Sequence, residues 1–138
     1  MDEKYELVER PPTLHEYQGL RKAVGWGDVD AEAIETGLKG ALFSVCVVLG
    51  DRVIGCGRVI GDGGIYFYIN DVIVLPEFQG KGLGRRIMDA IMGYLKSHAR
   101  LGTNVGLMAA KDVSEFYVPY GFAKRTVDRP GMYRIWGR

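Results

Sequence analysis

A glycine-rich turn in the middle of the chain reads Gln79-Gly80-Lys81-Gly82-Leu83-Gly84. An apolar run typical of a strand, 69–75, precedes this turn, and a run with apolar residues at helical spacing, 83–98, follows it. A turn between a strand and a helix start presents backbone N–H groups at the positive end of the helix dipole. Glycines let an anion approach that backbone closely. The stretch therefore predicts a strand–loop–helix unit that binds a phosphate or pyrophosphate group.

Two common phosphate-binding loops do not fit this turn. A Walker loop places a Ser or Thr directly after its lysine, whereas Lys81 lies between glycines and no hydroxyl residue follows it. A dinucleotide-binding turn is followed by an acidic residue about 20 positions later. The segment after the predicted helix, 99–106, contains no acidic residue.

The spacing of Gln79, Gly82 and Gly84 follows the pattern [QR]-x-x-G-x-[GA] and resembles the acetyl-CoA loop of the GNAT N-acetyltransferases. A second stretch, 116–122, reads Phe-Tyr-Val-Pro-Tyr-Gly-Phe and resembles the F-Y-x-x-x-G-F run near the C-terminus of the same family. The order and separation of the two motifs also fit that family. The resemblance covers about 41–136, and the N-terminal part of the chain fits loosely.

Composition and charge narrow the class of protein. A chain of 138 residues predicts one domain over 1–138. The formal net charge of +1 predicts no nucleic-acid partner and no attraction to an anionic membrane. No apolar run approaches the roughly 20 residues that span a bilayer, and the charged N-terminus lacks a signal-peptide core. We expect a cytoplasmic protein. The sequence leaves open whether it forms a homodimer.

The two cysteines, Cys46 and Cys56, lie in strand-like runs on either side of Gly50-Asp51. A two-residue hairpin turn there pairs Cys46 with Gly55, and Val45 with Cys56. The two thiols then point to opposite faces of the sheet, so we predict buried free thiols and no disulfide. No metal is expected, because a metal site needs more ligands than these two.

The order of predicted elements favours a mixed sheet. Predicted strands cover 5–9, 42–49, 52–60, 65–75, 104–109, 121–126 and 132–136. Predicted helices cover 29–38, 83–98, 113–120 and a stretch that runs to 23 from a capping box of Thr13 and Glu16. This order predicts a single-domain, GNAT-like α/β fold with about six or seven strands and helices on both faces. The strand–helix–strand unit around the loop is expected to form a right-handed crossover between parallel strands.

The resemblance implies acetyl-CoA as cosubstrate. The cofactor is then expected at the loop that begins with Gln79. Its pyrophosphate is expected on the backbone N–H groups of Gly80, Lys81, Gly82, Leu83, Gly84 and Arg85. The amides of the pantetheine arm need a strand edge with unpaired backbone groups. In the family, the strand before the loop supplies that edge and the next parallel strand splays away. By alignment to Gln79, the residues that supply it here are Val72, Ile73 and Val74.

The resemblance also implies catalytic residues. Tyr117 occupies the position of the family's tyrosine acid, near the sulfur, where it protonates or hydrogen-bonds the leaving thiolate. Asp71 is the only carboxylate in 66–71, and is therefore the candidate general base. The alternative is a water chain ordered by polar side chains of the same strand, namely Tyr66, Tyr68 and Asn70.

One departure from the family pattern concerns the cofactor. Many members have an asparagine seven residues before the tyrosine, and this chain has Ala110 there. Lys111 or Asp112 replaces that contact, or the contact is lost. The family's amine usually lies between the first two helices and the strand before the loop, which implies a substrate site lined by Trp26, Tyr66, Tyr68 and Asn70. Aromatic walls suit a small amine with an apolar body.

Three functions remain open on the sequence. The first is an acetyl-CoA-dependent N-acetyltransferase that acts on a primary amine, expected to be a small molecule, through a ternary complex. The second is a non-catalytic CoA-binding sensor, which the intact Tyr117 disfavours. Many relatives carry a glutamate on the strand before the loop, and its absence here weakly favours the sensor. The third is an acetyltransferase for protein lysines or N-termini.

Overall fold

The computed structural model describes residues 4–138. The chain forms two compact units, Met1–Met108 and Ala109–Arg138. The single domain over 1–138 stays a prediction. Within the part of the chain that is described, no helix combines the length and apolar character that a bilayer span requires.

The first unit contains five strands and three α-helices among its described residues. The strands are β1 (Tyr5–Val8), β2 (Phe43–Leu49), β3 (Arg52–Gly61), β4 (Tyr66–Val74) and β5 (Asn104–Leu107). The helices are α1 (Leu14–Ala23), α2 (Ala31–Lys39) and α3 (Leu83–His98), and a short 3₁₀ segment, Pro76–Phe78, follows β4. The second unit contains a 3₁₀ segment, Ser114–Tyr120, where the sequence predicted a helix at 113–120.

Side chains at the helix starts set where α1 and α2 begin. The predicted capping box is confirmed, since the Glu16 N–H donates to Thr13 Oγ1 at 3.2 Å and the Thr13 N–H donates to Glu16 Oε1 at 2.9 Å. Helix α2 begins two residues later than predicted because the Asp30 carboxylate accepts the Ala33 N–H at 3.0 Å, which makes Asp30 the N-cap.

The sheet is mixed, as predicted, with the order β1-β2-β3-β4-β5. The first four strands pair antiparallel, and β4 and β5 pair parallel across the crossover through α3. The number of strands was predicted wrongly: over residues 4–138 the sheet has five, not six or seven. The predicted strands at 121–126 and 132–136 form no ladder in the described structure, because strand-like composition does not supply the neighbour that pairs their N–H and C=O groups.

Helices cover both faces of the sheet, as predicted. A Cβ on Gly57 would lie 2.5 Å from the Ile87 side chain of α3, so this strand position faces α3. The next residue, Arg58, hydrogen-bonds Asp71 and the Gly37 carbonyl of α2, on the opposite face. The sheet is therefore buried between α3 on one side and the first two helices on the other.

The predicted pairing of the two cysteines is wrong. The two-residue turn at Gly50-Asp51 is present, but a bulge on β3 inserts one residue, Ile54, and moves the register by one. Cys46 therefore lies directly opposite Cys56, and cross-strand partners share a face of the sheet. Both are nevertheless free and buried. Burial raises the pKa of Cys46 to about 11 and also raises that of Cys56.

Candidate active site

The loop after β4 ends in an uncapped helix start. Gly82 is the N-cap of α3 in a left-handed conformation, with φ of 80°, and no side chain caps this end. The first N–H groups of an α-helix have no partner within the helix and lie at the positive end of its dipole. Gly80 also has a positive φ, 79°, and a Cβ at either glycine would meet nothing within 4 Å. The two glycines are therefore required by backbone conformation, and the space above them is open.

Polar side chains fix this loop to the sheet. The Gln79 amide donates to the Val74 carbonyl at 2.9 Å, which ties the start of the loop to the end of β4. Arg86 reaches the Tyr5 carbonyl of β1 with both terminal nitrogens at 3.4 Å. Lys81 and Arg85 are exposed beside the helix start, so the loop carries positive charge on its solvent side.

The edge of β4 that faces β5 is open beyond the first half of the strand. Strand β5 pairs with β4 only from Tyr66 to Ile69, whereas β4 continues to Val74 and stays paired with β3 on its other side. Among the described strand pairings, Val72, Ile73 and Val74 therefore have no neighbour on the β5 side. This open edge leads directly into the glycine loop.

A β-bulge bends β4 where the open edge begins. Cys56 pairs with Ile73 and Arg58 with Asn70, so two residues of β4 lie opposite Gly57. One of these two is Asp71, whose φ of 53° is in the left-handed region that few residues other than glycine adopt, with aspartate among the exceptions.

The carboxylate of Asp71 is buried and held by three side chains from other elements. Its Oδ2 accepts the Tyr17 hydroxyl at 2.9 Å and the Arg58 Nε–H at 2.8 Å, and Arg21 Nη1 lies 3.9 Å from Oδ1. Burial, and next the negative charge of Asp71, raise the pKa of Tyr17, so Tyr17 remains a hydrogen-bond donor at neutral pH. The bulge is thereby fixed to α1 and β3.

Arg21 connects this cluster to the segment between α1 and α2. Its Nε and Nη2 donate to the Gly27 carbonyl at 3.1 and 2.8 Å, and its guanidinium lies 5.5 Å from the centre of the Trp26 ring. Two predicted site residues, Trp26 and Asp71, are thus brought to the same arginine. A third predicted residue, Tyr68, lies near Asp71. Burial, and next the negative charge of Asp71, raise the pKa of Tyr68.

Comparison with known proteins identifies the family. Residues 41–124 match the family model described as the acetyltransferase (GNAT) domain. The chain belongs to the GNAT family. The predicted family and enzyme class, an N-acetyltransferase, are confirmed, and GNAT enzymes use acetyl-CoA as acetyl donor.

Individual GNAT relatives match most of the chain. The uncharacterized N-acetyltransferase ycf52 of Porphyra purpurea is 31% identical over 124 residues, which cover 87% of this chain and 70% of that protein. The GCN5-related N-acetyltransferase 1, chloroplastic, of Arabidopsis thaliana is 32% identical over 124 residues, which cover 88% and 62%. A crystal structure of a probable acetyltransferase from meticillin-resistant Staphylococcus aureus is 39% identical, with a TM-score of 0.92, and the match covers 96% of this chain and 100% of that one.

The remaining predicted side chains of this GNAT chain are Tyr66, Asn70 and Tyr117. Tyr66 is exposed at the start of β4, and Asn70 is half-buried immediately before the bulge. Tyr117 lies in the second unit, buried in the 3₁₀ segment Ser114–Tyr120, and its ring makes edge-on contacts with Phe116 and Phe122. Burial raises the pKa of Tyr117, so its hydroxyl stays protonated at neutral pH. Within residues 4–138, no cluster of three or more His, Cys, Asp or Glu side chains could hold a metal ion.

Sequence reasoning missed three residues of the Asp71 cluster: Tyr17, Arg21 and Arg58. A signal existed for Arg58, because it is the one charged residue inside the otherwise apolar run 53–60, and a charge buried in a strand needs a partner. Tyr17 and Arg21 are four residues apart and so share one face of α1. Neither signal indicates which acidic residue is the partner.

Proposed function

We propose that this GNAT chain is an acetyl-CoA-dependent N-acetyltransferase that transfers an acetyl group to the primary amine of a small molecule. One observation carries the proposal: the open edge of β4 at Val72–Val74 runs into a glycine loop that ends in the uncapped N-terminus of α3. A chain of amides followed by a pyrophosphate is the ligand that needs these two features in this order.

The donor groups on the protein fit the parts of acetyl-CoA. The backbone N–H groups at the start of α3 suit the pyrophosphate, and the exposed cations Lys81 and Arg85 add attraction for its negative charge. The edge of β4 at Val72, Ile73 and Val74, which has no neighbour on the β5 side, suits the pantetheine amides, as a sheet edge suits an added strand. The thioester then lies toward the bulge at Asp71.

The reaction is direct transfer. The neutral amine attacks the thioester carbonyl carbon, an N–C bond forms, the C–S bond breaks, and CoA leaves as a thiolate that takes a proton. We propose Tyr117 as the group that donates to the developing thiolate, and its raised pKa keeps the proton on the hydroxyl through the neutral range.

The amine proton leaves by a different route. Asp71 already accepts two hydrogen bonds on Oδ2 and has a guanidinium beside Oδ1, so it is poorly placed to take a proton as well. We therefore propose Asp71 as a positioning residue that fixes the bulge. The proton then passes to solvent along β4, by way of water molecules ordered by Tyr66, Tyr68 and Asn70.

The proposed acceptor is a small amine with an apolar body. Trp26 and Tyr68 are both half-buried, and both are associated with the cluster around Asp71. Their aromatic faces favour an aliphatic or aromatic amine, because the apolar body of such an amine can pack against the rings while its nitrogen remains solvated.

The test is release of free CoA from acetyl-CoA, measured with a thiol reagent against a panel of small primary amines, lysine peptides and peptides with free N-termini. We expect turnover with small amines. We also expect Gly82→Val to weaken acetyl-CoA binding by about 100-fold or more in calorimetry, because a left-handed φ is strained for valine and the helix start must shift.

The matched control is Gly93→Val, which makes the same substitution at an exposed position in the same helix, where a Cβ meets nothing within 4 Å. This variant should bind acetyl-CoA like the parent. Equal affinity in folded Gly82→Val and Gly93→Val would contradict the cofactor site. Turnover of peptides but not of small amines would contradict the acceptor, and binding without any turnover would favour the sensor function.

A further inference from the structure

The buried cluster around Asp71 contains more positive than negative charge. Two guanidinium groups, those of Arg21 and Arg58, lie within ion-pair distance of the Asp71 carboxylate. The Asp71 side chain is 5% exposed, and those of Arg21 and Arg58 are 20% and 15% exposed. Tyr17 remains neutral, because burial raises the pKa of its hydroxyl. Within residues 4–138, no second carboxylate forms an ion pair with either arginine, so the cluster has one positive charge in excess.

The excess charge lies on Arg21. Arg58 donates from Nε to Asp71 Oδ2 at 2.8 Å, which is the distance of a direct hydrogen bond between charged groups. Arg21 Nη1 is 3.9 Å from Asp71 Oδ1, which is beyond hydrogen-bond distance. A charge that is largely removed from water and has no close partner costs free energy, and an anion that binds it reduces that cost. Of the two arginines, Arg21 is therefore the better placed to bind a negatively charged group.

Arg21 is fixed in position and accessible to a ligand. Its Nε and Nη2 donate to the Gly27 carbonyl at 3.1 and 2.8 Å, and its Nη1 donates to the Tyr17 hydroxyl at 3.3 Å. Among the contacts described for residues 4–138, these bonds use three of the five N–H donors of the guanidinium. The side chain also lines a cavity of about 230 Å³ between α1 and the segment that joins α1 to α2. Two donors of a fixed planar group thus remain for a ligand.

One excess charge on a planar guanidinium suits a carboxylate. A carboxylate carries one negative charge and accepts parallel hydrogen bonds from a guanidinium, whereas a phosphate group carries about −1.5 to −2 at pH 7. The charges of Lys22 and Asp28, two exposed residues of the cavity lining, offset each other, and Val29 and Ile34 supply apolar surface. The cavity is smaller than usual ligand pockets, which begin at roughly 300 Å³. It therefore suits one end of a small molecule.

We propose that the acceptor amine carries a carboxylate, as an amino acid with an apolar side chain does, and that Arg21 binds this carboxylate. The proposal rests on the proposed function and narrows its acceptor. Arg21 reaches the Asp71 bulge, toward which the thioester lies, so an amine one carbon away from the bound carboxylate is brought toward the reacting carbonyl. The Trp26 ring, 5.5 Å from the guanidinium, packs against the apolar side chain of the amino acid.

The test compares phenylalanine with phenylalanine amide, two acceptors whose covalent structures differ only at the carboxylate, by release of CoA from acetyl-CoA. We expect the KM for phenylalanine to be about 10–100-fold below that for the amide, which is the effect of a hydrogen bond to a charged group. The α-amine of the amide is the less basic, so more of it is neutral at a given pH. Basicity therefore works against the expected preference.

Arg21→Gln should remove the preference, by raising the KM for phenylalanine about 10–100-fold without changing the KM for the amide. A general disturbance of the Asp71 cluster would instead lower kcat for both acceptors alike, so the ratio between the two acceptors isolates carboxylate binding. The matched control is Lys39→Gln, which removes one positive charge from an exposed position at the end of α2. This variant should keep the preference.

A binding measurement tests the same contact without turnover. The NMR signal of the Arg21 Nε–H group is followed while the parent, in the presence of CoA, is titrated with N-acetylphenylalanine and separately with N-acetylphenylalanine amide. These are the products that the two acceptors would give. The signal should shift to saturation with the acid and should stay unchanged with the amide.

Two results would overturn the proposal: equal KM values for phenylalanine and its amide in the parent, or an Arg21 signal that does not respond to the acid. Turnover of both acceptors without a preference would contradict the carboxylate and leave the proposed acetyltransferase intact. A saturable shift with the acid, but no release of CoA with any amine, would support the carboxylate site and contradict the proposed function.

Discussion

Asp71 has a left-handed backbone conformation, a buried carboxylate and two hydrogen-bond donors on one oxygen. The backbone conformation and the buried carboxylate would each be unfavourable alone, since strain and a buried charge both cost free energy. Together they are compatible, because the bulge brings the carboxylate to Tyr17 and Arg58 and those donors hold the bulge in place. Through these hydrogen bonds, Asp71 holds the strained bulge at the point where the open edge of β4 begins.

Asp71→Asn should separate this positioning role from a base role. Asparagine tolerates a φ of 53°, so the backbone can be kept while Arg58 loses its anionic partner. We expect the free energy of unfolding to fall by about 3 kcal/mol, as when one member of a buried ion pair is removed. The pH profile of kcat should keep its acidic limb, because Asp71 does not take the amine proton.

The control is Asp51→Asn in the exposed β2–β3 turn, which should change stability by no more than about 0.5 kcal/mol. Denaturant unfolding and a kcat profile across pH provide both measurements. An unchanged stability together with loss of the acidic limb would instead assign Asp71 as the general base.

Tyr117→Phe tests the proposed proton donor. The substitution keeps the ring, and hence the edge-on contacts with Phe116 and Phe122, and removes only the hydroxyl. A donor that acts in the transition state lowers kcat and leaves ground-state binding intact. We expect kcat to fall by about 10²–10³-fold, by analogy with removal of one oxyanion-hole donor, with an unchanged dissociation constant for acetyl-CoA.

The same hydroxyl should give the parent an alkaline limb in its kcat profile. Burial raises the pKa of Tyr117 from its ordinary value, so the hydroxyl stays protonated at neutral pH and the donor is lost as pH rises through the raised pKa. A kcat within about twofold of the parent, with chemistry rate-limiting, would show that the proton reaches sulfur from another source.

At the scale of elements, periodicity and glycine spacing were sufficient to predict most helices and strands of the first unit. The crossover β4–α3–β5 and the loop at residues 79–84 follow from patterns within one continuous stretch, 66–107, where local sequence is informative. Bulges are not visible in such patterns. The inserted residue Ile54 moved the cysteine register by one, and the bulge at Asp71 depends on donors from α1 that are distant in sequence.

The C-terminal strands show a second limit of sequence reading. Residues 132–136 have the composition of a strand, and that property was read correctly, but a strand also requires a neighbour. Pairing is decided by which edges remain open after the rest of the sheet has formed.

At the scale of the whole molecule, one side chain links the proposed cofactor edge to the proposed substrate segment. Arg21 contacts both the Asp71 bulge and the segment around Trp26, so the proposed thioester and amine positions share one side chain. This connection supports a ternary complex, in which both substrates are bound before transfer. The cytoplasmic location and the identity of the amine stay predictions.

Hydrogen exchange of the whole chain with and without acetyl-CoA tests the central claim most directly. Exchange reports which backbone amides gain partners. We predict slower exchange at Val72–Val74 and at Leu83–Arg85 when acetyl-CoA is added, with little change in β1 and β2, which lie at the other side of the sheet. Slower exchange at both segments would place the pantetheine and the pyrophosphate as proposed. Saturation with acetyl-CoA that leaves both segments unchanged would contradict the account.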